Sequence, residues 1–423
     1  MFTISKQDAY RVYIIYSALW SLSLTLAFTI NMVYLVLVMG LDPLQMVLVG
    51  TALELSAFLT EVPTGVVADL YSRRLSVIIG TITMGLSFFI FIVPSFPVIL
   101  LSQVVLAVGW TFISGAESAW ITDEIGESAA GRAFLHRSQI NMGVTIVGII
   151  VSVFLAMIDL RIPIVLCGVL LIITGLYLLA LMPETGFSPA PREEQETFRS
   201  MLNTTREGAR TIRGRPVLIT LIIVIAVWGA FTEGFDRLWT LHILENFDLP
   251  QIGEFDMIIW FGVIGIVGSL IGMVVTEYVR RKVNTDDQIA IARALIRINT
   301  VLIVALVVFA LAGQFVIAMI AFWIGGALRG INYPLREAWI NKGLNPRVRA
   351  TVISMTSQAD AIGQIAGGPG IGLIGQQFGV RVALALGGVI LMPVLGLYGR
   401  TIQQNGRLAA EPMVEAEVKP LSS

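Results

Sequence analysis

Apolar runs of about 20 residues, the length that crosses a bilayer, recur twelve times along this chain with short polar breaks between them. Their approximate limits are 12–36, 44–68, 75–93, 98–119, 139–158, 163–182, 216–239, 255–278, 294–312, 315–338, 351–375 and 382–400. Runs this long predict helices, because a segment in lipid must satisfy its own backbone hydrogen bonds. Some breaks are only a few residues, such as GLDP at 40–43 and PSFP at 94–97. One connection is long: 183–215 carries Pro183, Pro189, Pro191 and the mixed-charge run REEQE, and reads as a solvated linker with some amphipathic helix. The pattern therefore predicts an all-α integral membrane fold of twelve transmembrane helices. Its expected parts are an N-terminal six-helix bundle (1–182), the linker (183–215), a C-terminal six-helix bundle (216–400) and a polar tail (401–423) without order.

Composition agrees. Only 13% of residues are charged and 56% are hydrophobic, where an ordinary soluble domain is roughly 25% charged. The placement of charge says more than its sum of −1. Of the 28 Lys and Arg, 22 fall in the alternate loops that share a side with the N-terminus, and only Arg161 and Arg381 lie in loops of the other side. The positive-inside rule then predicts a multi-pass protein of the cell (inner) membrane with both termini cytoplasmic. Cys167 is the single cysteine, and His136 and His242 are far apart, so neither a disulfide nor a metal centre is indicated. No Walker loop is present, which argues against ATP as the energy source; no cofactor, enzymatic constellation or nucleic-acid surface is expected. The stretch Gly370-Ile-Gly372-Leu-Ile-Gly375 matches a dinucleotide fingerprint by spelling alone, since it lies inside an apolar span and follows no strand.

The two halves repeat each other. Ala119-Trp120-Ile121 recurs as Ala338-Trp339-Ile340 and Ser138-Gln139 as Ser357-Gln358, all at an offset of 219, which also places Asn141 on Asp360 and Trp110 on Arg329. Charged corners follow the second span of each half, Asp69…Arg73-Arg74 and Glu277…Arg280-Arg281-Lys282. Parallel six-helix repeats with a site between them are a transporter architecture.

The corner Gly65…Asp69…Arg73-Arg74 resembles the loop between helices two and three of the major facilitator superfamily, which runs Gly-x-x-x-Asp-(Arg/Lys)-x-Gly-Arg-(Arg/Lys). Leu70 and Ser72 depart from it. GAESAWITDEI at 115–125 and RATVIS at 349–354 resemble the end of helix four and the start of helix eleven in bacterial exporters of that superfamily. The glycine-proline motif usual in helix five of the drug–proton antiporters is absent from 139–158; a similar pattern, Gly363-x-x-x-Gly367-Gly368-Pro369, stands in the eleventh span. The resemblance spans the whole chain and implies a secondary transporter working by alternating access, nearest in kind to proton-coupled exporters of small lipophilic compounds. It implies a small-molecule substrate, protons and the bilayer as partners, and a monomer. An importer of a small metabolite and a non-transporting receptor are the rival readings.

Ionisable groups at membrane depth are costly and functional by default. Glu54 and Glu61, seven residues apart on one helix face, are candidates for proton coupling together with Asp360 and Glu233. The resemblance implies a cytoplasmic gate at Gly65, Asp69, Arg73 and Arg74, with Arg73 or Arg74 pairing Asp123 or Glu124 and Asp69 facing the start of the eleventh helix. Asn31, Tyr34, Trp110, Glu117 and Arg329 are expected to line a substrate cavity, Arg329 with Asp360 as one candidate partner. Asp236 and Arg237, read as near the outer end of the seventh span, are expected at an outer gate, with Glu233 and Arg237 paired at i, i+4. Gly363, Gly367 and Pro369 are expected to let helices pack closely.

Overall fold

The computed structural model describes residues 6–188, 216–251, 257–285, 287–341 and 346–410. Among them every regular element is a helix. In the first half these are α1 (Lys6–Phe28) with α2 (Asn31–Leu37), α3 (Pro43–Leu70), α4 (Arg73–Phe91), α5 (Phe96–Ile113) with α6 (Ala116–Ile125), α7 (Glu127–Ala156) and α8 (Arg161–Leu181). The second half holds α9 (Pro216–Asn246), α10 (Ile259–Lys282), α11 (Gln288–Leu311), α12 (Phe315–Asn341), α13 (Pro346–Phe378) and α14 (Val380–Ile390) with α15 (Met392–Ala410). Helices α1–α2, α5–α6 and α14–α15 are each one span with a break in it, so the count of twelve stands.

Eleven of these spans are long and apolar enough to cross a membrane by length and composition. The exception is α13, whose 33 residues include Asp360, Gln358, Gln364 and six glycines. It is held by its neighbours instead, packing along α9 and α3. Two ends differ from the apolar limits: α7 begins at Glu127, well before 139, and α15 runs past Arg400 to Ala410. Hydropathy marks where a helix enters lipid, and nothing obliges it to stop there. Positions 189–215 and 411–423, where a linker helix and a tail without order were expected, lie outside the described residues.

Local chemistry fixes the corners. Asp42 caps α3 by accepting from Gln45 N at 2.9 Å while Gln45 Oε1 accepts from Asp42 N at 3.2 Å, with Pro43 in the first turn. Ser72 caps α4 by accepting from Leu75 N at 2.9 Å. That explains its departure from the glycine of the family motif: its φ of −172° is extended backbone, and its hydroxyl is used. Gly115, at φ 78°, takes the left-handed turn that separates α5 from α6.

Within the first half α4 packs on α5 and α8, and α1 on α7 and α8; within the second, α11 packs on α12, α14 and α15. The halves meet where α3 lies along α13 and α9, and where α7 touches α10. Small residues make the contacts around α13 close. A methyl on Gly363 would strike the Ala226 carbonyl, one on Gly367 would strike Ala230, and one on Gly229 would strike the Asp360 carbonyl.

Candidate transport cavity

Between the halves lies a cavity of about 660 Å³. Its wall is built from the later turns of α3 (Glu54, Phe58, Glu61), the end of α5 (Trp110), the middle of α9 (Trp228, Asp236), the later turns of α12 (Arg329, Tyr333, Arg336, Glu337) and the early turns of α13 (Ser357, Asp360, Gln364). All of these lie toward the end of the bundle that carries the 71–72 corner and the start of α1. At the other end the halves are shut: Gln376 Nε2 donates to Asp42 at 3.3 Å, and a methyl on Gly372 or Gly375 would press on Val47 or Pro43. Beside them Gly262 and Gly265 sit against Val153 and Ile149. The cavity is therefore open at one end only.

Charges in this wall are arranged unevenly. Arg329 makes a two-pronged pair with Asp236, at 2.7 and 2.9 Å, and lies over the rings of Phe231 and Phe235 at 5.3 and 4.8 Å. Arg336, only 8% exposed, lies 4.7 Å over the Trp228 ring, and its Nε and Nη1 have no hydrogen-bond partner among the described residues. Trp228 Nε1 likewise has none. Asp360 accepts from Gln364 Nε2 at 2.9 Å. Glu54 stands within electrostatic reach of Glu233, Arg237 and Asp360. Neither the Glu54 nor the Glu61 carboxyl has an ion-pair or hydrogen-bond partner among the described residues. Two unpaired carboxyls thus face the cavity from α3, and a third, held by one amide, faces them from α13.

The family model of the Major Facilitator Superfamily matches residues 11–298. This chain belongs to that superfamily. It is 23% identical over 388 residues to YxaM of Bacillus subtilis (strain 168), an uncharacterized MFS-type transporter, covering 90% of this chain and 93% of that one. Among solved structures, the nucleoside transporter NupG matches with a TM-score of 0.73 at 15% identity, covering 93% of this chain and 99% of that one. A bacterial homologue of the human lysosomal transporter Spinster, in an inward-facing and unoccupied conformation, matches with a TM-score of 0.72 at 14% identity over 96% and 99%. A POT family transporter in complex with a thioalcohol-conjugated peptide matches with a TM-score of 0.71 at 12% identity over 93% and 96%. At these identities the structures establish the twelve-helix fold. The chain is a multi-pass membrane transporter of a small molecule and not an enzyme.

Within this superfamily member the expected site residues sort into three groups. Glu54, Glu61, Asp360, Trp110 and Arg329 are brought together on the cavity wall. Asp236 joins them, which corrects its placement at an outer gate: α9 continues to Asn246, so 233–237 is mid-helix. It also corrects the partner of Arg329, which is Asp236 and not Asp360. Glu233 and Arg237 do pair at i, i+4, at 3.1 Å and almost fully buried, wedged against Gly50 of α3.

A second group sits away from the cavity. Glu117 is buried in an ion pair with Arg137, which also donates to the Tyr13 hydroxyl at 3.1 Å. Tyr34, fully buried, donates to the Ile92 carbonyl at 2.8 Å and ties α2 to the end of α4. Asn31 accepts from Met32 N at 2.7 Å in a minor crevice with Gln103 and Arg237. All three satisfy helix contacts instead of lining the main cavity.

The third group is the corner. Of the pairings the motif left open, Arg73 with Asp123 is the one formed, and Arg73 also reaches Asp69 at 3.8 Å. Asp69 is 65% exposed, and the side chains at the start of α13 that it was expected to face lie outside the described residues. Glu124 pairs with no arginine among the described residues; it accepts from Thr185 N, Thr185 Oγ1 and Gly186 N at 2.6–2.8 Å. Arg74 donates from Nη2 to the Leu179 carbonyl at 2.7 Å. Gly65 has open space around it, so close approach does not require glycine there. Sequence reasoning missed Glu184, which accepts from Ser72 Oγ at 2.6 Å and Arg74 N at 2.9 Å. The available signal was an acidic residue directly after the sixth apolar run, facing a corner with two arginines.

Proposed function

We propose that the chain is a proton-coupled secondary transporter that exports small lipophilic compounds by alternating access, with Glu54 and Asp360 as the proton-carrying carboxyls. The observation that carries this reading is the one-ended cavity with Glu54, Glu61 and Asp360 on facing walls. A carboxyl that opens to water from one side and is enclosed on the other can exchange protons with each side in turn. The apolar and aromatic remainder of the wall (Ala57, Phe58, Trp110, Ile225, Trp228) suits a lipophilic body. With the basic loops on the cytoplasmic side of the cell membrane, the open end faces inward, the same sense in which the Spinster homologue's structure is open. The exporter-like motifs at 115–125 and 349–354 support the outward direction. We place Asp69, Arg73, Arg74, Asp123 and Glu184 in the cytoplasmic gate, and take the monomer as the working unit.

A second reading, uptake of a small metabolite together with protons, is favoured by Arg336. An unpaired cation beside Asp360 attracts an anion, and an anion and a proton neutralise each other in one cavity. Vesicle transport separates the two. In inverted vesicles acidified inside by respiration, export predicts accumulation of a lipophilic dye such as ethidium that collapses with a protonophore. No accumulation of any lipophilic dye, together with no change in resistance across a drug panel in a pump-deficient host, sinks the export reading and leaves the fold untouched.

A further inference from the structure

Two arginines reach the cavity from one face of α12, seven residues and two turns apart, and the protein treats them oppositely. Arg329 is neutralised on both prongs by Asp236. Arg336 is more deeply buried, yet Asp360, the carboxylate whose field acts on it, forms no ion pair with it and is engaged by Gln364. A desolvated guanidinium without a partner is expensive, and a membrane protein keeps one where it is used.

The internal repeat sharpens this. At the offset of 219, Arg336 falls on Glu117 and Thr356 on Arg137. In the first half that pair of positions is a buried ion pair, closed on itself. In the second half the charge is inverted and the partner position is a neutral threonine, so the same architectural point presents an unmatched cation beside the cavity. Trp228 lies beneath the guanidinium and covers one of its faces.

We infer that Arg336 is the recognition point for a single carboxylate on the transported molecule, whose aromatic body lies on Trp110, the exposed indole of the same wall. A phosphate would call for a second free cation, and Arg329 is already taken by Asp236; Arg336 Nε and Nη1 are walled in, which leaves Nη2 to meet one carboxylate. The inference rests on the cavity being the substrate path, and not on the direction of transport or on proton coupling.

The test is equilibrium binding to the purified full-length protein, read by quenching of tryptophan fluorescence with three nitroaromatic probes of one shape: 4-nitrobenzoate, 4-nitrobenzyl alcohol and 4-nitrobenzylamine. The wild type is expected to bind the benzoate at least about tenfold more tightly than the alcohol, the scale of one hydrogen-bonded contact to a charged group. Arg336→Met removes that preference while the alcohol still binds, and Arg336→Lys keeps a preference because the charge stays. A wild type that binds the alcohol or the amine as tightly as the benzoate overturns the inference whatever the variants do. So does an Arg336→Met protein that retains the benzoate preference. Binding needs no gradient, so tight benzoate binding without proton-driven flux would fail the coupling reading and leave this one standing.

Discussion

The two halves of this transporter share a frame and divide the chemistry. Trp120 of the first half and Trp339 of the second are repeat mates, both buried in the same way. Trp120 Nε1 donates to the Pro183 carbonyl at 2.6 Å, whereas Trp339 Nε1 has no partner among the described residues and the ring stacks on Tyr398. The corners differ likewise. Arg73 crosses to Asp123 and the corner is tied to Glu184, while Glu277 pairs with its own helix neighbours Arg280 and Arg281, both 72% exposed. In the first half, then, paired charge fastens the end of the bundle, and the charge in the cavity wall is two carboxyls of α3, Glu54 and Glu61. In the second, Asp236, Arg329, Arg336 and Asp360 put charges of both signs into the cavity wall, the last three at repeat positions that the first half fills with Trp110, Glu117 and Asn141. Duplication supplied the scaffold twice, and the unequal residues show where each copy specialised.

Breaking that division should cost most in the cavity. Glu54→Gln or Asp360→Asn is expected to abolish proton-driven flux in vesicles while the protein still inserts and binds; flux at wild-type rate in both variants would remove them from coupling. Next comes Arg237→Ala, which leaves the buried Glu233 charge unpaired and should destabilise by about 3 kcal/mol, measured by thermal unfolding in detergent. The double change Glu233→Leu with Arg237→Met should recover most of that loss. At the seam between α9 and α13, Gly367→Val forces a side chain into Ala230 and should lower stability by about 1–3 kcal/mol. The corners give the smallest effects and the cleanest contrast. Arg73→Ala should remove about 1 kcal/mol of bias between conformations, read as a changed rate of alternation with substrate affinity unchanged. Arg280→Ala, its counterpart, should stay within about 0.5 kcal/mol; equal effects at both corners would erase the asymmetry.

Much of the frame was legible because lipid makes a strict demand: a span must be about 20 residues and apolar. The eleventh span shows the limit, since α13 is shielded by α3 and α9 and tolerates Gln358, Asp360 and Gln364. Pairings within one helix, such as Glu233 with Arg237, follow from helical spacing, and the motif implied an arginine of the corner against Asp123 or Glu124 without saying which. Pairings between helices did not follow. Whether Arg329 meets Asp236 or Asp360 depends on the relative heights of α9, α12 and α13, which no single segment encodes. Glu117 and Tyr34 were misplaced for the same reason: a polar residue in a span has a partner, but its sequence does not say on which side.

At the shut end of the cavity α2 packs on α9, and Gly372 and Gly375 of α13 lie against Val47 and Pro43 of α3. Such faces are smooth. A glycine brings no side chain of its own to interlock, so at this seam α3 and α13 can part without a rotamer change on the α13 side. The polar stitch from Gln376 to Asp42 then acts as a catch across that seam.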